Sequence, residues 1–304
     1  MNNTPLFPSF KKLSLKDKSI IESFTVQFPP YSDFYFFSLW SYNVNENIEY
    51  SFLNQNLVMK FQEYTGQGYF YSFLGNSKPV DTIRQLLSHA QQNKLLPSLK
   101  LVPEHSLHGT DLESLRHKYD IEEDSDNFDY ILSVEKISQM NGPELHQKKK
   151  QMKKFLQNYQ SHIQIVPLKD IRHHESILTL LNQWVFLKKS GDVNKNELEA
   201  IKRSIVHSHA FDIQAFCVYV DEKLRGFTIF EYSHPEIAIS SFQKADTKFE
   251  GIYEFLNWEL AKYLKEKNCK FINIEQDLGI AGLRQAKRKY NPTYLKKYII
   301  SPKS

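Results

Sequence analysis

The 304 residues carry 39 Lys and Arg against 35 Asp and Glu, a formal net charge of +4. Hydrophobic residues make up 41% and aromatic residues 14%, enough apolar surface for a sizeable core, which excludes a disordered chain. The length suits two domains of about 150 residues each, and the mildly basic balance permits an anionic partner without demanding one. No apolar run approaches the roughly 18 residues needed to span a bilayer. Lys11, Lys12, Lys16, Asp17 and Lys18 interrupt any N-terminal signal core. A cytoplasmic protein without a transmembrane segment is therefore expected, with peripheral contact to anionic lipid left open. Cys217 and Cys269 lack CxxC or Cys/His ligand spacing and read as two buried thiols of a reduced compartment.

Along the chain, Pro29-Pro30-Tyr31-Ser32-Asp33 reads as a turn feeding a helix, with Ser32 or Asp33 as N-cap. That helix carries Phe34, Phe37, Leu39 and Trp40. Strand-like runs follow at Ile48–Phe52, Leu57–Phe61 and Tyr69–Leu74. Asp81–Asn93 places Ile83, Leu86, Leu87 and Ala90 at helical spacing. Leu99–Val102 reads as a strand, Asp111–Tyr119 as a helix and Tyr130–Val134 as a strand. The acidic stretch Asp120–Asp129 lacks EF-hand spacing and reads as a solvated loop.

Asn141-Gly-Pro143 then opens a basic segment. Lys148, Lys149, Lys150, Lys153 and Lys154 put five lysines within seven residues, either a solvated helix or an electrostatic clamp for phosphates. Beyond it, His162–Val166 is strand-like, and Ser176–Lys189 and Lys195–His207 look like amphipathic helices. Ala215–Val220 and Gly226–Tyr232 form a predicted hairpin, Ile237–Phe242 a third strand, and Gly251–Leu264 a helix with Ile252, Phe255, Leu256, Leu260 and Leu264 on its inner face. Phe271–Glu275 is a strand, a basic helix follows, and Tyr294–Ile300 closes as a last strand.

Helix, helix, three antiparallel strands, helix, strand, helix, strand is the order of the N-acetyltransferase-like (GNAT) fold. The expectation is therefore an α/β (α+β) protein of two tandem GNAT-like (acyl-CoA N-acyltransferase-like) domains. Each would hold a mixed, mostly antiparallel sheet flanked by helices. The boundaries read as 1–140 for the N-terminal domain, 141–160 for a basic linker helix and 161–304 for the C-terminal domain.

The most informative stretch follows Lys270. A short strand ends in Glu275 and Asp277, a turn follows at Gly279, and Arg284, Lys287 and Arg288 then fall at i, i+3 and i+4, on one helix face. No acidic residue follows Asp277, whereas seven Lys or Arg do. Asn273 and Glu275 alternate with Ile272 and Ile274, and a polar face on a central strand is costly unless it lines a cleft. Arg284 and Lys287 are the first candidates for anion binding, Lys244 and Lys248 the second. Glu275 or Asp277 is placed to accept a proton from an attacking amine or hydroxyl, or to hold an α-amino group. Asp277 equally suits a structural pairing with Arg284, and Asp246 a plain turn. Tyr253 and Tyr290 either close a pocket or pack. His173-His174 and His207-Ser-His209 lack a carboxylate companion, so no metal site is expected.

A GNAT enzyme holds the pyrophosphate of CoA on backbone N–H groups of a Gly-rich turn before a helix. Here that stretch is Lys248-Phe-Glu-Gly251-Ile-Tyr253, with one glycine and an acidic residue. The loop is degenerate. No cofactor is required, and acyl-CoA stays open.

Three blocks resemble a known family. They are Pro29-Pro30-x-Ser32-Asp33-Phe34 with Leu39-Trp40; Lys244-Ala-Asp246 with Gly251-Ile-Tyr253 and Asn257-x-Glu259; and Asn273-x-Glu275-x-Asp277-Leu-Gly279-x-x-Gly282-Leu-Arg284-x-Ala-Lys287-x-x-Tyr290-x-Pro292. The last is the specific one. Together they resemble the DUF2156 group, the phosphatidylglycerol lysyltransferase C-terminal domain-like family, over residues 20 to 300. The resemblance implies a tandem GNAT-like architecture and an acyltransferase related to enzymes that move an aminoacyl group from aminoacyl-tRNA to a lipid or other acceptor. Two alternatives stay open: a non-catalytic GNAT-like module that binds an anion or a partner, and a conventional CoA-dependent N-acyltransferase. Oligomeric state is not legible.

Overall fold

The computed structural model describes residues 4–63, 68–167, 171–187, 195–234 and 236–303. The chain groups into two units. The first comprises Met1–Asp129, Gln276–Ile280 and Tyr294–Ser304, the second Tyr130–Glu275 and Ala281–Thr293. The sequence reading gave 161–304 to one domain, whereas the chain returns to the first unit for its last strand.

In chain order the first part contains β1 (Lys11–Lys12), α1 (Lys18–Thr25), α2 (Phe36–Tyr42), β2 (Glu49–Leu53), β3 (Asn56–Gln62), β4 (Tyr69–Leu74), α3 (Pro79–Gln92), β5 (Leu99–Pro103), α4 (Leu112–Lys118) and β6 (Tyr119–Glu123). The middle contains β7 (Asp129–Ser133), α5 (Val134–Gln139), α6 (His146–Tyr159), β8 (Ile163–Pro167), α7 (Ile171–Leu187) and α8 (Lys195–Val206). Then follow β9 (Gln214–Val220), β10 (Lys223–His234), β11 (Ile237–Ala245), α9 (Ile252–Glu266), β12 (Phe271–Asn273), α10 (Ala281–Arg288), β13 (Thr293–Leu295) and β14 (Lys297–Pro302).

The two units repeat one grammar. In the first, β2, β3 and β4 run antiparallel, α3 crosses over, and β5 pairs parallel to β4. In the second, β9, β10 and β11 run antiparallel, α9 crosses over, and β12 pairs parallel to β11. The full sheet orders are β1-β2-β3-β4-β5-β14-β6 and β13-β7-β12-β11-β10-β9-β8. A parallel neighbour needs a crossover, and the helix supplies it while covering one face. Both crossover helices bury the stripe that their periodicity announced. Ile83, Leu86, Leu87 and Ala90 pack on Val58, Tyr71 and Phe73 in the first unit. Leu260, Ala261 and Leu264 pack on Leu132, Phe230 and Ile272 in the second. Both sheets are mixed and flanked by helices, so the expected fold class holds.

Three local readings are corrected. Neither Ser32 nor Asp33 caps a helix. A 3-10 turn spans Ser32–Phe34, α2 starts at Phe36 after Tyr35, and neither start has a side-chain cap bond. The acidic stretch after Tyr119 is not simply a loop, because Tyr119–Glu123 forms the edge strand β6, antiparallel to β14. Its Tyr119 and Ile121 pack on the core while Asp120 and Glu122 face outward, and charge on an edge strand discourages pairing with another chain. Third, the run Tyr294–Ile300 is two strands in two sheets, broken at Lys296. Both cysteines are free and buried, and burial pushes the Cys217 thiol up to about 12. Among the described residues, no helix is long and apolar enough to cross a membrane.

Candidate functional site

The strand β12 ends in a turn that two side chains shape locally. Asn273, fully buried, accepts the Glu275 backbone N–H on its Oδ1 at 2.8 Å. Asp277, also fully buried, accepts the Gly279 N–H on Oδ1 at 2.8 Å, and its carbonyl accepts the Ile280 N–H at 2.9 Å. Both are Asx turns, which satisfy backbone donors that the ended strand no longer pairs. The turn is strained: Glu275 has φ 56 and Leu278 φ 54, a region non-glycine residues seldom enter. Gly279 at φ 74 is different, since an added Cβ there would lie 2.8 Å from the Asp126 carboxylate. Of the two predicted acids, Asp277 is fully buried with Oδ1 on the backbone, and Glu275 is half-buried.

Within the second unit, Lys287 reaches back from α10. Its ammonium donates to the carbonyls of Ile274 at 2.6 Å and Glu275 at 3.2 Å, and lies 5.6 Å from the Tyr130 ring centre. Arg284 is half-buried on the same helix, and Arg288 and Lys289 are exposed.

A second group in this unit surrounds the start of α9. Lys148 of α6 pairs with Glu254 at 2.6 Å, both largely buried, and sits 4.7 Å from the Tyr290 ring centre. The Tyr290 hydroxyl accepts from Asn257 at 2.9 Å, and Asn257 Oδ1 accepts from Gln243 at 3.2 Å. Burial pushes the Tyr290 phenol well above its ordinary range, so it stays protonated at neutral pH.

The middle motif forms a third group. Lys244 pairs with Glu197 at 2.7 Å and lies over Trp184 at 4.7 Å. Asp246 accepts from Arg225 at 3.4 Å and from the Lys248 N–H at 3.1 Å. Arg225 stacks on Phe249 at 4.6 Å. The Tyr253 hydroxyl accepts the Ala245 N–H at 3.2 Å, and burial raises its pKa. The Lys248 side chain is exposed.

The first unit holds a charge cluster that sequence reasoning missed. Lys297 is fully buried; its ammonium donates to Asp33 Oδ2 and, at 3.0 Å, to Asp129 Oδ1. Asp129 accepts the Ser32 N–H at 2.8 Å and the Ser32 hydroxyl at 2.5 Å. Asp33 Oδ1 accepts the Gln276 amide at 2.8 Å. Burial raises the Asp33 carboxyl, with Lys297 opposing it. For Lys297, burial acts against the charge, but Asp129 and Asp33 more than offset it and raise its pKa. The available signal was the Ser32-Asp33 pair after Pro29-Pro30, which the local pattern reads as a helix cap.

The turns that precede the two crossover helices are both closely packed by the protein itself. Gly251 precedes α9 at φ 89, and a Cβ there would collide with the Gln151 carbonyl of α6 and meet Phe155 at 3.1 Å. The α9 N-terminus is therefore packed against a helix. In the first unit, Pro79 at the start of α3 has no N–H, and the Ser77 N–H is taken by Asn56 Oδ1 at 3.1 Å. Among the described residues, no group of three or more His, Cys, Asp or Glu suits a metal. The side chains of His173 and His174 lie outside the described residues.

Two mixed sheets with this crossover grammar define a tandem GNAT-like protein. The family described as phosphatidylglycerol lysyltransferase, C-terminal, matches residues 29–301, and the chain belongs to that family, DUF2156. Three of the similar solved structures are as follows. A conserved protein of unknown function from Bacteroides thetaiotaomicron VPI-5482 aligns with TM-score 0.84 and 26% identity, covering 97% of this chain and 99% of that one. The C-terminal DUF2156 domain of a protein described as a lysylphosphatidylglycerol synthetase from Agrobacterium fabrum gives 0.67 and 11%, covering 96% and 93%. L-PGS from Bacillus licheniformis gives 0.63 and 13%, covering 97% and 94%. No curated protein matches.

Proposed function

We propose that this chain transfers an aminoacyl group from aminoacyl-tRNA to the headgroup of an anionic lipid or to another hydroxyl or amine acceptor. Family membership over residues 29–301 supports this reaction class. The observation that carries the choice of donor is the packing of α6 onto the start of α9 at Gly251. A CoA-dependent GNAT half needs free N–H groups at that helix start, and here a helix backbone stands against it.

An aminoacyl ester is already activated, so the protein has to orient the acceptor and stabilise the oxyanion. In this reading the acceptor oxygen or nitrogen attacks the ester carbonyl, and Glu275 takes its proton. The ester C–O bond breaks, and the tRNA 3′ oxygen leaves and is protonated. Arg284 and the exposed Lys248 hold phosphates of the substrates, with Lys244 adding positive charge beside Trp184. Asn273, Asp277 and Lys287 build the turn that presents Glu275. Asp246, Tyr253 and Tyr290 shape the walls of the second unit.

The test is transfer of labelled lysine from lysyl-tRNA to vesicles containing phosphatidylglycerol, with wild type and Glu275→Gln. Label in the lipid fraction that E275Q loses by about a hundredfold supports the reading. No transfer to any lipid or amine acceptor, together with a thermal shift on acetyl-CoA, would replace it with CoA chemistry. No transfer and no shift would leave an anion-binding module.

A further inference from the structure

We propose that Asp33 and Lys297 are positioning residues for the turn at 275–277: Asp33, held by the Lys297 ammonium, fixes the Gln276 amide and with it the two flanking carboxylates. The inference rests on reading Glu275 as the proton acceptor, and it extends that reading to residues the reaction does not touch.

The cluster costs more than packing alone would require. Lys297 is fully buried between two aspartates, and a buried ion group is often no more stable than apolar residues of the same shape. What charge supplies is direction. Asp129 spends both oxygens on Ser32 and Lys297. That leaves Lys297 oriented toward Asp33, whose Oδ2 takes the ammonium and whose Oδ1 takes the Gln276 amide. The contact spans 243 residues of sequence and lands on the residue between Glu275 and Asp277.

The turn needs such a hold. Glu275 and Leu278 both sit at positive φ, and such residues persist only where the surroundings over-determine them. Asn273 and Asp277 act on the backbone from within the turn. The Gln276 side chain ties its own residue to the Asp33, Lys297 and Asp129 cluster of the same unit. Strain held at the candidate acid Glu275, and again at the residue after Asp277, is the pattern of a pre-organised site.

The experiment compares wild type with Asp33→Asn and Gln276→Leu by hydrogen exchange and by lysyl transfer. The amides of Leu278, Gly279 and Ile280, bonded to the Asp126 carbonyl, Asp277 Oδ1 and the Asp277 carbonyl, report the turn. The amides of α3 report the fold. We expect turn amides to exchange about tenfold faster in both variants while α3 amides stay unchanged. We also expect kcat to fall about tenfold at near-constant KM. Unchanged turn amides in an intact fold would overturn the proposal. If D33N loosens α3 as well, Q276L decides alone, because it leaves the buried charges in place. Absence of transfer in the wild type would count against the proposed function, while the exchange result still decides the positioning role.

Discussion

The Lys287 ammonium donates to the Ile274 carbonyl at 2.6 Å. A residue chosen from sequence as an anion binder therefore also closes the end of β12 by capping backbone acceptors. Lys287→Met should destabilise the protein by about 1 kcal/mol, because the half-buried Ile274 carbonyl loses a charged donor while the Glu275 carbonyl keeps the Tyr130 N–H. The check is a urea unfolding curve, with a lowered midpoint and an unchanged slope.

Two glycines give opposite outcomes. Gly251→Ala forces a side chain into positive φ and into the Gln151 carbonyl, and should cost at least about 2 kcal/mol. Gly282 lies in α10 with nothing within 4 Å of an added Cβ, so Gly282→Ala should be neutral or stabilise by up to about 1 kcal/mol. Thermal melts of the two variants separate these outcomes. A tolerated Gly251→Ala would mean that α6 does not press on the start of α9.

Lys148 and Glu254 form a pair whose side chains are only 12% and 9% exposed. Removing either partner leaves a charge in a dry place, so Lys148→Met and Glu254→Leu should each cost about 3–5 kcal/mol. The double variant should recover most of that loss. A double-mutant cycle by denaturant unfolding reads the coupling directly.

Asp17 supplies a pH signature. Burial alone would raise its pKa, but bonds from Lys11, Ser14 and Tyr50 hold the carboxyl below its ordinary 3.8. A lowered folded-state pKa adds stability that is present above the unfolded value and is lost as pH falls through the folded one. Asp17→Asn should therefore be less stable than wild type at neutral pH, by about 1–3 kcal/mol. The gap should close as pH drops below 3.8. Unfolding midpoints across that range test the sign.

The crossover helices and most strands were readable because their signal is local. The Ile83, Leu86, Leu87 and Ala90 stripe of α3 buries as its spacing demands. The site was readable only in part. Asn273, Glu275 and Asp277 lie within five residues and announce a polar turn. Ser32 and Asp33 looked like caps because the partners that claim them, Asp129 and Lys297, lie 97 and 264 residues away. The split of 294–300 into β13 and β14 was hidden for the same reason. Alternation along a strand reports its faces and says nothing about which sheet will take it.

The placement of β14 between β5 and β6 has a consequence for synthesis. While the nascent chain is still emerging, β5 lacks one neighbour and β6 lacks the strand it pairs with among the described residues. The first unit thus waits, with open hydrogen-bonding edges, through the translation of roughly 170 intervening residues before its sheet can close. A ribosome-bound fragment ending ahead of Lys297 should be a strong client for chaperones that recognise unpaired strands.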